Sequence, residues 1–160
     1  MKRYISLSIL SVLIVFFIAA GLFYKPSTHY PFKCYGFIEY NLVLDNKEVQ
    51  LNLSQDIRLY DDKTGEISFS GRVMYDNRNT VFNRKIMLTN TSRLDEDTLK
   101  FTIKKTVKSL SDNTPDDVYN LLMDEYVASQ HTIQIDLIEI VSGLWVIGSP
   151  TSFIMICQAY

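Results

Sequence analysis

Hydrophobic residues in this chain follow two different rules. From Ile5 to Phe23 (ISLSILSVLIVFFIAAGLF) 19 residues pass without a charge. As a helix at ~1.5 Å per residue that run covers roughly 28 Å, the thickness of a bilayer's hydrocarbon core. Beyond it the pattern becomes alternating. The even positions Phe32, Cys34, Gly36, Ile38, Tyr40, Leu42 and Leu44 make one apolar face. After Asp45-Asn46 the odd positions Val49, Leu51, Leu53, Ile57 and Leu59 make a second, and after Asp61 to Gly65 a third comprises Ile67, Phe69, Gly71, Val73 and Tyr75. Period two predicts strands buried on one side. A fourth strand is expected over about 80–90, following the turn at Asp76-Asn77-Arg78-Asn79, and a fifth from Thr98 to Ser109. The alternation then stops. Thr114 reads as a helix N-cap, Pro115 as the first helical residue and Asp116-Asp117 as a favourable acidic first turn. Val118, Leu121, Leu122 and Tyr126 follow at helical spacing. Strands resume over Thr132–Val141, Leu144–Ile147 and Thr151–Ala159.

About eight short one-sided strands with one helix predict a mainly β domain, a small closed antiparallel barrel of the calycin or lipocalin kind, with a β-sandwich as the alternative. Cys34 begins the first strand and Cys157 ends the last. In an up-and-down barrel those strands pair antiparallel, so a disulfide there would latch the closing seam. Two buried free thiols are the competing reading.

The charges around the apolar run assign the compartments. Lys2 and Arg3 precede it and Lys25 is the only nearby charge after it, an asymmetry that keeps residues 1–4 in the cytoplasm and exports the chain beyond the run. The layout is then a transmembrane anchor at 5–23, a linker at 24–31 and an exported domain at 32–160. A cleaved signal peptide ending near Ala19-Ala20-Gly21 is the alternative; the length of the run and the bulky Leu22, Phe23 and Tyr24 argue for retention. Without residues 1–24 the chain keeps 14 of its 16 Lys and Arg and all 18 Asp and Glu, a formal net charge of −4, which gives no electrostatic reason to bind nucleic acid.

Two sets of residues depart from the one-sided pattern. Gln55, Arg84, Lys105 and Glu139 fall on the core face if register is kept, where an inward Arg or Lys suits the anionic head of a small ligand; a bulge or strand end would turn each toward water instead. Tyr35, Phe37, Ile138 and Ile140 are apolar on the face expected to be solvated, and could form a partner-docking patch. Catalytic machinery is not evident: the chain has no G-x-S-x-G elbow, no phosphate loop and no H-E-x-x-H. Its two histidines, His29 and His131, do not suggest a zinc cage or a His-activated nucleophile. No enzyme, metal or cofactor is expected.

The order of these features resembles the FidL-like family of small enterobacterial inner-membrane proteins. The resemblance rests on the single N-terminal span, Cys34-Tyr35-Gly36, Gly65-Glu66-Ile67 with Gly71, Asp112-Asn113-Thr114-Pro115-Asp116-Asp117, Trp145-Val146-Ile147-Gly148-Ser149-Pro150, and the terminal Ile156-Cys157. It implies a single-pass inner-membrane protein with a periplasmic C-terminal domain. It also implies a role like that of ToxS-type partners, as an accessory to a membrane-bound winged-helix regulator of the ToxR or CadC type. With four residues before its span the chain is expected to carry no DNA-reading domain of its own. The other function compatible with the barrel is a self-contained binder of a small amphipathic ligand.

Overall fold

The computed structural model describes residues 30–129 and 131–160. The predicted anchor at 5–23 lies outside the described residues. Among the described residues, no helix is long and apolar enough to cross a membrane. The elements are β1 (Phe32–Leu44), β2 (Lys47–Leu59), β3 (Gly65–Tyr75), β4 (Arg78–Arg93), β5 (Thr98–Lys108), α1 (Asp116–Asp124), β6 (Val127–Ser129), β7 (Thr132–Val141), β8 (Leu144–Gly148) and β9 (Phe153–Ala159).

The strands run as an antiparallel meander whose two ends meet. Neighbours follow the order β5-β4-β3-β2-β1-β9-β8-β7, and β5 also pairs with β7, closing eight strands into a barrel. The three-residue β6, which alternation cannot signal at that length, is an appendage on β7. Turn chemistry sets the register of the long hairpins. Asp45 and Asn46 lie at φ 51° and 63°, and Asp76 and Asn77 at φ 52° and 58°. Each pair forms a two-residue loop, joining Leu44↔Lys47 and Tyr75↔Arg78. Two successive left-handed residues match the right-handed twist of the strands, and Asp and Asn tolerate that conformation better than most residues. The predicted apolar faces point inward, where Leu51, Ile57, Ile67, Phe69, Phe82, Phe101 and Tyr126 are buried.

Helix α1 corrects one expectation. Thr114 does not cap it: Pro115 holds the cap position and no side chain bonds the first turn. Thr114 is buried, and its hydroxyl donates to the Val81 carbonyl at 3.0 Å, tying the loop before α1 to β4. The helix buries Val118, Leu122 and Met123.

The cysteines form the predicted disulfide, with Cα atoms 5.6 Å apart at a sequence separation of 123. The bond runs diagonally across the β1–β9 seam, because Cys34 lies opposite Ala159 and Cys157 opposite Gly36. Glycine is required there, since a Cβ at Gly36 would come within 2.6 Å of the Ile156 carbonyl oxygen and 3.2 Å of Cys157 Cβ. Closing a loop of that size contributes roughly 5 kcal/mol in the chain-entropy model.

Candidate functional site: an outer apolar row and an inner polar cluster

Of the four polar residues expected inside, two are there. Arg84 on β4 is 3% exposed, and this chain's own groups engage it. Nε donates to Asp112 Oδ2 at 3.1 Å, and Nη2 donates to the Thr114 carbonyl at 3.0 Å and pairs with Asp116 Oδ1 at 2.8 Å. The guanidinium also stacks 4.6 Å from the Tyr119 ring centroid and 5.3 Å from that of Phe82. Asp112, with no side-chain exposure, further accepts the Asn83 and Thr114 backbone N–H groups. Asp116 is the exposed end of this cluster; hydrogen bonds from Lys108 and Arg84 hold its carboxyl below the usual carboxylate range. The arrangement fastens the β5–α1 connection to β4.

Gln55 on β2 is fully buried and accepts a 2.7 Å hydrogen bond from the Tyr126 hydroxyl. Burial, then the neighbouring Tyr40, pushes the Tyr126 phenol well above its ordinary pKa. Tyr40 is pushed up to about 12, first by burial and then by the charge of Glu125. Among the described residues, Gln55 Nε2 and the Tyr40 hydroxyl have no hydrogen-bond partner.

Lys105 and Glu139 do not face inward. Met87 pairs with Lys105 but Leu88 pairs with Ile103, so one extra residue on β5 is bulged out between them. The slip turns Lys105 to solvent while Ile103 still packs on the core. Glu139 is exposed near the end of β7, where a register shift follows it, and its Oε1 accepts the Gly143 N–H across the β7–β8 turn.

The four apolar residues expected outside are all exposed, Phe37 most at 73%, and the closed topology brings them to one side. Ile138 on β7 lies opposite Val146 on β8, and Val146 opposite Ile156 on β9. Across the seam Tyr35 lies opposite Gln158 and Gly36 opposite Cys157, which sets Phe37 one step along from Gly36, toward Ile156. The result is an outward row Ile138–Val146–Ile156–Phe37, with Tyr35 beside Phe37 (ring centroids 5.3 Å apart, edge to face) and Ile140 two residues beyond Ile138. Sequence reasoning misses Val146 and Ile156. Their signal is that β8 and β9 are apolar on both faces, at Leu144-Trp145-Val146-Ile147 and Phe153-Ile154-Met155-Ile156. On its other flank Phe37 borders an open groove of about 450 Å³ lined by Glu39, Asn52, Ser54 and Ser70. Small polar side chains on β2 and β3 thus leave one side of the Phe37 ring uncovered.

A family model described as "FidL-like putative membrane protein" matches residues 71–157, more than half of the chain. The match begins within β3, includes Arg84, α1 and Cys157, and leaves β1 outside it. No curated protein and no solved structure matches the chain.

Proposed function

The chain belongs to the FidL-like family, and from that premise we propose that it is a non-enzymatic accessory protein of the bacterial inner membrane. In this reading residues 5–23 anchor it, the barrel lies in the periplasm, and the barrel docks on the exported part of a single-span winged-helix regulator, which it stabilises or tunes. The observation that carries the reading is the Ile138–Val146–Ile156–Phe37 row, large apolar side chains aligned across four strands on the outside of a closed barrel, Val146 partly buried and the other three exposed to water. A patch of that kind on a soluble domain marks a docking surface more often than chance exposure does. Aromatic side chains such as Tyr35 and Phe37 are the usual anchors of such interfaces. Inside, by contrast, the best candidate for gripping an anion, Arg84, is committed to Asp112, Thr114 and Asp116.

The second reading, a barrel that binds a small ligand, is favoured by one observation: the buried Gln55 Nε2 and the Tyr40 hydroxyl lack partners among the described residues. A polar ligand atom or a bound water would satisfy them.

The test is a photo-crosslinking residue at position 37 of the full chain in native membranes, with adducts identified by mass. The docking reading expects one dominant adduct, with a protein carrying a winged-helix domain and a single span, and lower regulator abundance or target transcription when this protein is deleted. Absence of such an adduct together with unchanged transcription would overturn it.

A further inference from the structure

The docking row and the disulfide share the weakest joint of the barrel. β1 meets β2 through 13 residue pairs, Phe32↔Leu59 to Leu44↔Lys47, but meets β9 through three, Cys34↔Ala159 to Gly36↔Cys157. β9 meets β8 through five and β8 meets β7 through five. The row crosses this short seam: Tyr35 and Phe37 stand on its β1 side, and Ile156, Val146 and Ile138 on the other. Besides the disulfide, the chain end adds the Tyr160 N–H to the Lys33 carbonyl at 3.2 Å, and the solvent-exposed Tyr160 hydroxyl bonded to Asp56 and Arg58.

We infer that the Cys34–Cys157 bond is a redox-controlled latch on the docking row, an inference that rests on the function proposed above for that row. With the bond formed, β9 is held against β1 and the row is continuous. With it reduced, β9 parts from β1 while the β1–β5 meander keeps its long ladders, and the row divides between Phe37 and Ile156. The reductant is a dithiol. One of its thiolates attacks Cys34 or Cys157 sulfur, breaking the S–S bond and forming a mixed disulfide; its second thiol then displaces the remaining protein sulfur. Two electrons and two protons reach the pair, which ends as two thiols, and the donor ends as a disulfide. Cys34 and Cys157 are 0% and 1% exposed, so attack requires the seam to open first. A partner lying across the row therefore slows reduction; because it binds the joined row better than the divided one, it also shifts the disulfide equilibrium toward the oxidised form to the same extent.

The experiment needs no partner. Amide hydrogen exchange is followed by mass spectrometry on the full chain in detergent micelles, oxidised and after reduction with dithiothreitol, with the Cys34→Ser/Cys157→Ser double variant alongside. The latch predicts that exchange over residues 34–37 and 154–158 accelerates at least about tenfold more than over 49–58, 67–74 and 82–88, where only the fall in global stability acts. Acceleration spread evenly over the barrel would overturn it and make the bond a staple of the whole fold. Unchanged exchange would overturn it as well. Failure of the docking reading registers separately, in the crosslink from position 37.

Discussion

Arg84 and Phe37 occupy opposite kinds of place, and each is unusual for its residue type. Arg84 is a cation inside the barrel with Asp112, Thr114 and Asp116 gathered around it. Phe37 is an aromatic ring on the outside, 73% exposed, beside a groove. A buried charge that the chain itself satisfies is committed to holding the fold, because removing either partner strands the other away from water. An exposed apolar row with nothing among the described residues over it gains by being covered from outside. The contrast separates residues that hold this protein together from residues available to something else.

Perturbing the first kind is expected to cost stability, in a definite order. Arg84→Ala leaves the buried Asp112 carboxylate with only the half-exposed Lys108 ammonium, 3.9 Å away, as a cation and should cost about 3–5 kcal/mol in urea unfolding; Arg84→Met paired with Asp112→Asn should recover part of that. Cys34→Ser, Cys157→Ser and the double variant should each lose roughly 2–5 kcal/mol. The three should lie close together, because all remove the same bond; additive single losses would mean that each cysteine also acts on its own. Tyr126→Phe removes the one hydrogen bond that the Gln55 side chain makes among the described residues and should cost about 1–2 kcal/mol. Asp116 should show the smallest effect, visible as pH dependence. Its pKa is lowered in the folded state by Lys108 and Arg84, so its stabilisation is present above the ordinary carboxylate pKa and fades as pH falls through the lower folded value. Asp116→Asn should flatten that acid-side slope of the melting temperature, lowering it slightly near neutrality and converging on the parent protein once pH has fallen through the folded value.

The β1–β5 meander was legible in the sequence because its strands are long and one-sided and two of its turns carry Asp-Asn. The disulfide was legible because the cysteines sit at opposite ends of strands that a closed barrel must join. Lys105 was misplaced because a single bulged residue reverses the face of everything after it, and nothing in Lys104-Lys105 marks the bulge. Glu139 was misplaced because β7 runs on past its last pairing with β5, at Asp136, so the alternation continues along β8 where it no longer covers the core. The helix start was shifted by one residue because Thr114, which has the right chemistry for a cap, finds its partners on β4 instead. Tyr35 with Phe37 and Ile138 with Ile140 could each be picked out, but their joining into one row depends on β8 and β9 lying between them, which only the closed topology supplies.

The central claim is that the outer row, and not the interior, carries the function. It is tested most directly by comparing Phe37→Asp with Gln55→Leu, each in the full chain and in membranes, for capture of a single-span winged-helix regulator by a crosslinker. Phe37→Asp puts a charge where water is to be excluded yet should leave the monomer's stability within about 0.5 kcal/mol, while Gln55→Leu changes only the inside. The account predicts that Phe37→Asp loses capture and Gln55→Leu keeps it. Capture retained by Phe37→Asp and lost by Gln55→Leu would contradict it and move the function into the barrel.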